Sequence, residues 1–458
     1  MEDLRSWGFN VVRLGVMWPG VEPAPGQINA TYLGEIRRIA SELAAHGIYT
    51  LVDLHQDLLS RHFCGEGVPE FYVEDLLRNQ TSAVARSRPF PLPYYEPLEL
   101  DADGFPNITD CVENLFSTYY FTEKVGATFR ELYTPGSPLN KGFLNYWGNV
   151  SQAFANDTPH ILGYELLNEP SPQCLDAPES DIQCEMPDIL TGNIREYYAP
   201  LYRAAAERIR VQDPDRPIFY EAQPAPVIKR ELWPEPVLGH DTQQGLAYHI
   251  YCTPDDDQGR FPSLICSVTQ DLYENEYWGF LEQKNRSIAG FMSEFGAVGP
   301  TPLALEHLER LMAAADEHFV SWAYWQLKFY RDFTTANKAE SLYNHKGQLE
   351  KAKLSVLSRS YAQAVAGTPV NTSFTPGAAL GSAVFKLEYI AAKGSGVNTT
   401  EIYLNEALHY PWGYDVKLSP KCVALKAQPN RLLLEVPDRC AGETIALMVF
   451  AKEAPTTR

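Results

Sequence analysis

Two apolar runs of this chain end in a glutamate: YELLNEP carries Glu169 and FMSEFG carries Glu294. A pair of carboxyl groups flanking one bond suits hydrolysis of a glycosidic linkage. One carboxyl protonates the leaving oxygen while the other attacks the sugar or activates water, and attack calls for a separation of about 5–5.5 Å. On a barrel such a pair must come from the C-terminal ends of different strands. Glu165 and Glu221 also lie in strand-like runs, and the contexts around Glu169 and Glu294 leave them as structural carboxylates.

Short apolar runs alternate with helical patterns, the signature of a parallel sheet with crossover helices. The strand candidates are NVVRLGV from Asn10, IYTLVDLH from Ile48, HILGYELLN from His160, RPIFYEA from Arg216, GLAYHIY from Gly245, IAGFMSEF from Ile288 and FVSWAYWQL from Phe319. They are nearly continuously apolar, as strands buried on both faces should be. Between them YLGEIRRIASELAAHG, NIREYYAPLYRAAAERIR and PLALEHLERLMAAADEH read as helices. The fold class expected is α/β, a (β/α)₈ barrel with seven recognisable strands, strand one being the missing piece at the N-terminus. Two insertions, from about Arg61 to Asn140 and after Pro170, follow strands and should sit at the barrel's C-terminal face. After Ala366, GTPVNTSFTPG reads as a linker, followed by short alternating strands that predict an all-β sandwich. The expected division is therefore a barrel over 1–366 and a sandwich over 367–458.

The chain of 458 residues has 45% hydrophobic and 21% charged residues, a globular composition, with a net charge of −20 that opposes binding to nucleic acid or anionic lipid by electrostatics. Its eight cysteines include no C-x-x-C pair, which argues against a zinc site. Proximity suggests the bridges Cys64–Cys111, Cys174–Cys184, Cys252–Cys266 and Cys422–Cys440, although eight cysteines allow 105 connectivities. Glycosylation sequons start at Asn29, Asn79, Asn107, Asn149, Asn156, Asn285, Asn371 and Asn398. Both features point to a secreted protein or one of the lysosomal or endomembrane lumen. MEDLRSWGFN has no apolar leader segment, which suggests a truncated N-terminus, and no run is long enough to cross a membrane.

Taken together and in order, these motifs resemble glycoside hydrolase family 5 from about Leu4 to Ala364. Arg13 stands in VVRLG, His55 and Asp57 in DLHQD, Asn168 before Glu169 in NEP, His249 and Tyr251 in YHIY, Glu294 in SEFG and Trp325 in AYWQ. DLHQDLLSRHFCGEGVPEF, GYELLNEP and the PWGYDVKLSP of the β-region are similar to the endoglycoceramidases within that family. The resemblance implies a retaining hydrolase that cleaves the bond between sugar and ceramide in glycosphingolipids, with neither cofactor nor metal. It implies Glu169 as acid/base and Glu294 as nucleophile, held ionised by Arg13 and Tyr251. Asn168 would bind the sugar 2-hydroxyl, Trp325 would stack under the ring, and His55, Asp57 and His249 would shape the pocket. In the endoglycoceramidases strand one adds a lysine to this pocket. A polysaccharide endohydrolase and an inactive carbohydrate- or lipid-binding homologue are the competing readings. The substrate would be met at a membrane or micelle surface, with the apolar stretch Phe90–Phe105 (Pro91, Leu92, Tyr94, Tyr95, Leu98) as candidate lipid contact.

Overall fold

A computed structural model describes residues 1–78, 99–111, 119–120, 122–155, 158–171, 195–221, 237–239, 241–251, 277–278, 281, 288–330, 340–377, 382–393 and 398–454. The expected strand runs become β1 (Val11–Gly15), β2 (Tyr49–Asp53), β5 (Ile161–Glu165), β6 (Ile218–Glu221), β7 (Gln244–Tyr251), β8 (Ala289–Gly296) and β9 (Ser321–Trp322). A small parallel pair, β3 (Leu58–Leu59) and β4 (Glu66–Gly67), lies in the first insertion. The seven long-range strands form one sheet in the order β1-β2-β5-β6-β7-β8-β9, every pair parallel. This is a barrel sheet open along one seam. Among the described residues no strand pairs with the outer edge of β1 or β9, and the open side shows in burial: β6 is buried at every position, whereas β1 is only half-buried along its length.

Crossover helices supply the outer layer. In Ala30–Ala45 the buried residues Leu33, Ile36, Ala40, Leu43 and Ala44 follow the helical period. Asn29 caps its start by accepting the Tyr32 N–H, and Gly47, at φ +73°, lets the chain turn out of its end. Helix Pro138–Phe154 buries Leu139, Phe143, Tyr146, Trp147, Val150 and Phe154, each such side chain stabilising by roughly 1.5–3 kcal/mol. Two of them also brace strand exits. The Tyr146 hydroxyl donates to the Val16 carbonyl at 2.6 Å, and the Trp147 indole to the Leu166 carbonyl at 3.1 Å. Helices Arg195–Gln212 and Pro302–Glu317 fall where the sequence placed them.

The C-terminal region is a sandwich of two four-stranded antiparallel sheets. One has the order β10-β13-β16-β15 and the other β11-β12-β17-β14. The strands are β10 (Tyr361–Ala364), β11 (Gly367–Thr375), β12 (Val384–Ala391), β13 (Thr399–Tyr403), β14 (Tyr414–Ser419), β15 (Ala424–Gln428), β16 (Arg431–Glu435) and β17 (Thr444–Ala451). Two details differ from the sequence reading. The stretch taken as a linker is the nine-residue edge strand β11, mostly exposed and with its register shifted beside Pro369, so it carries no apolar alternation. The run from Phe319 gives only a two-residue β9. Beyond it the Trp325 N–H still reaches the Phe295 carbonyl at 2.9 Å, but the outer edge has no described neighbour to keep it regular.

Candidate active site

β5 and β8 end at the same mouth of the sheet and bring the two motif glutamates together. The chain leaves β5 through Leu166 and Leu167, with the Asn168 N–H on the Leu54 carbonyl at 3.0 Å, and then turns at Glu169, whose φ is +41°. A side chain in this left-handed region costs energy and needs its surroundings to hold it. Gln56 Nε2 donates to the carbonyls of Asn168 and Glu169 at 2.7 and 3.1 Å, and the Glu169 N–H donates to Glu221 Oε2 at 2.8 Å. On β8, Glu294 faces His249 of β7 across a register shift. Oxygens of Glu169 and Glu294 and a ring nitrogen of His249 all lie within 4.8 Å of one another.

Arg13, on β1, is the hub. Its guanidinium donates to Glu294 Oε1, to Glu165 Oε2 at 2.5 Å and to Asn168 Oδ1 at 2.7 Å, and lies 3.0 Å from Asp53. Burial works against its charge, but the three carboxylates Asp53, Glu165 and Glu294 outweigh it and keep the guanidinium firmly protonated. Glu294 takes a second donor in the Tyr251 hydroxyl at 2.7 Å. Burial, with Glu294 beside it, pushes that phenol well up, so it stays a donor. Glu294 thus accepts from two donors, Arg13 and Tyr251.

Glu169 sits in a different environment. Among the described residues its side chain meets His249 Nδ1 at 2.8 Å, and burial raises its carboxyl above the usual range against the pull of His55 and Arg13. Burial holds His249 down at about 3, so the imidazole is neutral at ordinary pH. His55 is the opposite case. Burial disfavours its charge, yet hydrogen bonds to Asp53 (3.0 Å) and Asp57 (3.4 Å) raise it well above an ordinary histidine. Asp57 is pushed up to about 6 by burial, against His55 and with Glu169 and Glu294. The site therefore sets a carboxyl that burial raises beside a carboxylate that accepts two donors, a pairing suited to acid-assisted displacement at a sugar carbon.

All nine residues singled out in the sequence, Arg13, His55, Asp57, Asn168, Glu169, His249, Tyr251, Glu294 and Trp325, come to this one mouth. Trp325 stacks on His55 with ring centroids 5.0 Å apart and planes 8° from parallel. Asn168 donates one amide N–H to the Gln56 carbonyl at 2.9 Å. Sequence reasoning passed over Asp53, Gln56 and the full part of Glu165 and Glu221. Both glutamates lie inside the carboxylate network rather than apart from it, and their position at the last residue of β5 and of β6 was the available clue. Three groups, His55–Asp57–Glu66, Glu165–Glu221–His249 and Glu169–His249–Glu294, are close enough to hold a cation, but their atoms are those of the network just described. The bridges Cys64–Cys111 and Cys422–Cys440 are formed. Cys174, Cys184, Cys252 and Cys266, and Leu92, Tyr94, Tyr95 and Leu98, lie outside the described residues.

Comparison with known proteins follows the same lines. The sequence model of the family described as Cellulase (glycosyl hydrolase family 5) matches residues 1–331, and that of the glycoside hydrolase family 5 C-terminal domain matches residues 359–449. An endoglycoceramidase of Cyanea nozakii is 30% identical over 460 residues, covering 99% of this chain and 84% of that protein. Two solved structures of endo-glycoceramidase II from Rhodococcus sp. share the fold over 99% of this chain and 91% of theirs. The lactosyl-enzyme intermediate has a TM-score of 0.68 at 20% identity, and the ganglioside GM3 complex 0.69 at 19%.

Proposed function

The chain belongs to glycoside hydrolase family 5, and from that premise we propose that it hydrolyses the β-glycosidic bond between the sugar and the ceramide of glycosphingolipids with retention of configuration. A Glu294 oxygen attacks the anomeric carbon while Glu169 gives its proton to the departing ceramide oxygen, which takes the electrons of the broken C–O bond. Glu169, now ionised, accepts a proton from water. The water oxygen attacks the same carbon, and Glu294 leaves as a carboxylate. The observation that carries this reading is the separation of the two carboxyls, whose nearest oxygens are within 4.8 Å. That spacing fits direct attack rather than the wider gap of about 6.5–9.5 Å that leaves room for a water. Arg13 and Tyr251 hold the nucleophile, and the second amide N–H of Asn168 is available to a sugar 2-hydroxyl. Trp325, His55, Asp57 and His249 line the glycone pocket.

The likeness to endoglycoceramidases over nearly the whole chain supports a sphingolipid substrate, met at a membrane or micelle surface. No helix among the described residues is long and apolar enough to cross a membrane. The two disulfides support an oxidising compartment such as the secretory or lysosomal lumen.

A fluorescent ceramide glycoside and a soluble β-glucan, assayed side by side with the anomer of the released sugar followed by NMR, test the proposal. Release of the β-anomer from the ceramide glycoside, with little turnover of the glucan, is expected. Initial release of the α-anomer would overturn the double displacement. Preference for the glucan would overturn the lipid substrate.

A further inference from the structure

Three buried carboxyls at the mouth, Asp53, Glu165 and Glu221, take no step in the chemistry above; the first two pair with Arg13, and Glu221 does not. We propose that Glu221 is a positioning residue that seats Glu169 from behind while carrying its own proton, so that one neutral carboxyl places another. This rests on the reading of Glu169 as acid/base.

Glu221 is the last residue of β6 and is fully buried. It reaches Glu169 by two routes. Its Oε2 accepts the Glu169 backbone N–H at 2.8 Å, at the residue whose φ of +41° needs support. Its Oε1 lies 3.4 Å from His249 Nδ1, which is itself 2.8 Å from Glu169 Oε1. The same carboxyl thus holds the acid's backbone directly and lies beside the imidazole that meets its side chain.

Charge decides its protonation. The groups facing Glu221 are Glu165 on β5, Glu169 in the turn after it, the neutral His249 on β7 and, farther off, Arg13 on β1; the Tyr202 hydroxyl of helix Arg195–Gln212 donates to its backbone carbonyl. Arg13 donates to Glu165, Glu294 and Asn168 and lies against Asp53, so its ion pairs go to carboxylates other than Glu221. An ionised Glu221 would be a buried negative charge without a cation, among other carboxyls, which is costly. Burial first, then Glu165 and Glu169, push it well above the ordinary carboxyl range. Held neutral, it lets Glu169 keep a proton without a second negative charge behind it.

Glu221→Ala and Glu221→Gln in the full chain test this. The alanine removes the seat, and kcat is expected to fall about 30-fold, the order of a lost buried hydrogen bond and a misplaced acid. The glutamine keeps an oxygen for the Glu169 N–H and adds no charge. It is expected to recover about tenfold of that loss, with the alkaline limb of kcat/KM at its wild-type pH. If Glu221 is ionised in the resting enzyme, Glu221→Gln removes a negative neighbour, the Glu169 carboxyl drops and the alkaline limb moves to lower pH by about one unit. That shift overturns the proposal, as does a glutamine variant no better than alanine or an alanine variant with wild-type turnover. Infrared spectroscopy gives a reading independent of activity and of the alanine variant's folding. At neutral pH the wild type must show a buried carboxylic acid C=O component that Glu221→Gln lacks, apart from the Glu169 component that Glu169→Gln removes, and the lack of any such difference refutes the neutral carboxyl. Glu169→Gln separates the underlying assignment. If it slows glycosides of good and poor leaving groups alike, Glu169 is not the acid, and that reading fails on its own account.

Discussion

The mouth of the barrel and the core of the sandwich are built on opposite principles. At the mouth, Asp53, His55, Asp57, Glu165, Glu221, His249 and Glu294 are all buried, and their partners are polar: one another, Arg13, Glu169 and the Tyr120 and Tyr251 hydroxyls. In the sandwich the buried cluster is apolar: Phe374, Phe385, Leu387, Ile402, Leu432, Leu434, Ile445, Leu447 and Val449 among others. The first arrangement carries a penalty in stability, since buried charges return less than an apolar core of equal volume. The second supplies stability and no reactive group. Chemistry and stability are thus segregated along the chain, and mutations should separate them.

The largest effect should come from the mouth. Glu169→Gln is expected to lower turnover of a poor-leaving-group glycoside by about 10²–10⁴-fold, and Glu294→Gln by at least as much. Small nucleophile variants such as Glu294→Gly should regain turnover with azide and yield the glycosyl azide of inverted configuration. Thermal unfolding should move little for Glu169→Gln, because a neutral isostere replaces a carboxyl already pushed toward its neutral form. A large loss of melting temperature together with activity would erase the distinction between the regions.

In the sandwich the signs reverse. Phe385, fully buried on β12, should cost about 3–5 kcal/mol of that region's stability when replaced by alanine. Turnover at a temperature where the variant remains folded should stay within a factor of two or so. A loss of kcat comparable to that of Glu169→Gln, in folded protein, would show that the sandwich takes part in the chemistry.

The same division governs what the sequence could say. Sandwich strands announce themselves by alternation: β12 is buried at every second position, Phe385, Leu387, Tyr389 and Ala391. Where alternation fails, as in the exposed and Pro-containing β11, the residues read as a linker although they form a strand. Barrel strands are legible by their continuous apolar runs, and Glu169 and Glu294 by the short motifs around them. Glu221 and Gln56 were not, because their part depends on where the turn after β5 folds back. No local pattern states that the Glu169 N–H will point at a carboxyl 52 residues downstream.

The smallest expected effect lies where the two regions meet. The sandwich grips the segment that leads into β1: the Tyr403 hydroxyl donates to the Ser6 carbonyl at 2.6 Å and the Tyr361 hydroxyl to the Gly8 carbonyl at 2.8 Å. Ser358 Oγ donates to the Trp7 carbonyl between them at 2.7 Å. β1 carries Arg13, the hub of the site, and has a neighbour on one side only among the described residues. Removing both tyrosine hydroxyls, as Tyr361→Phe with Tyr403→Phe, should cost about 1 kcal/mol each in stability. If segregation were complete, kcat would not respond. Because β1 has a single strand neighbour, we expect a further loss of about two- to fivefold in kcat/KM, the size of a small displacement of a guanidinium from its carboxylates. Amide hydrogen exchange should quicken over Val11–Gly15 and stay unchanged over β7 and β8. Unaltered exchange in β1 with unaltered kcat/KM would mean that the sheet alone places Arg13 and that the sandwich only adds mass to the fold.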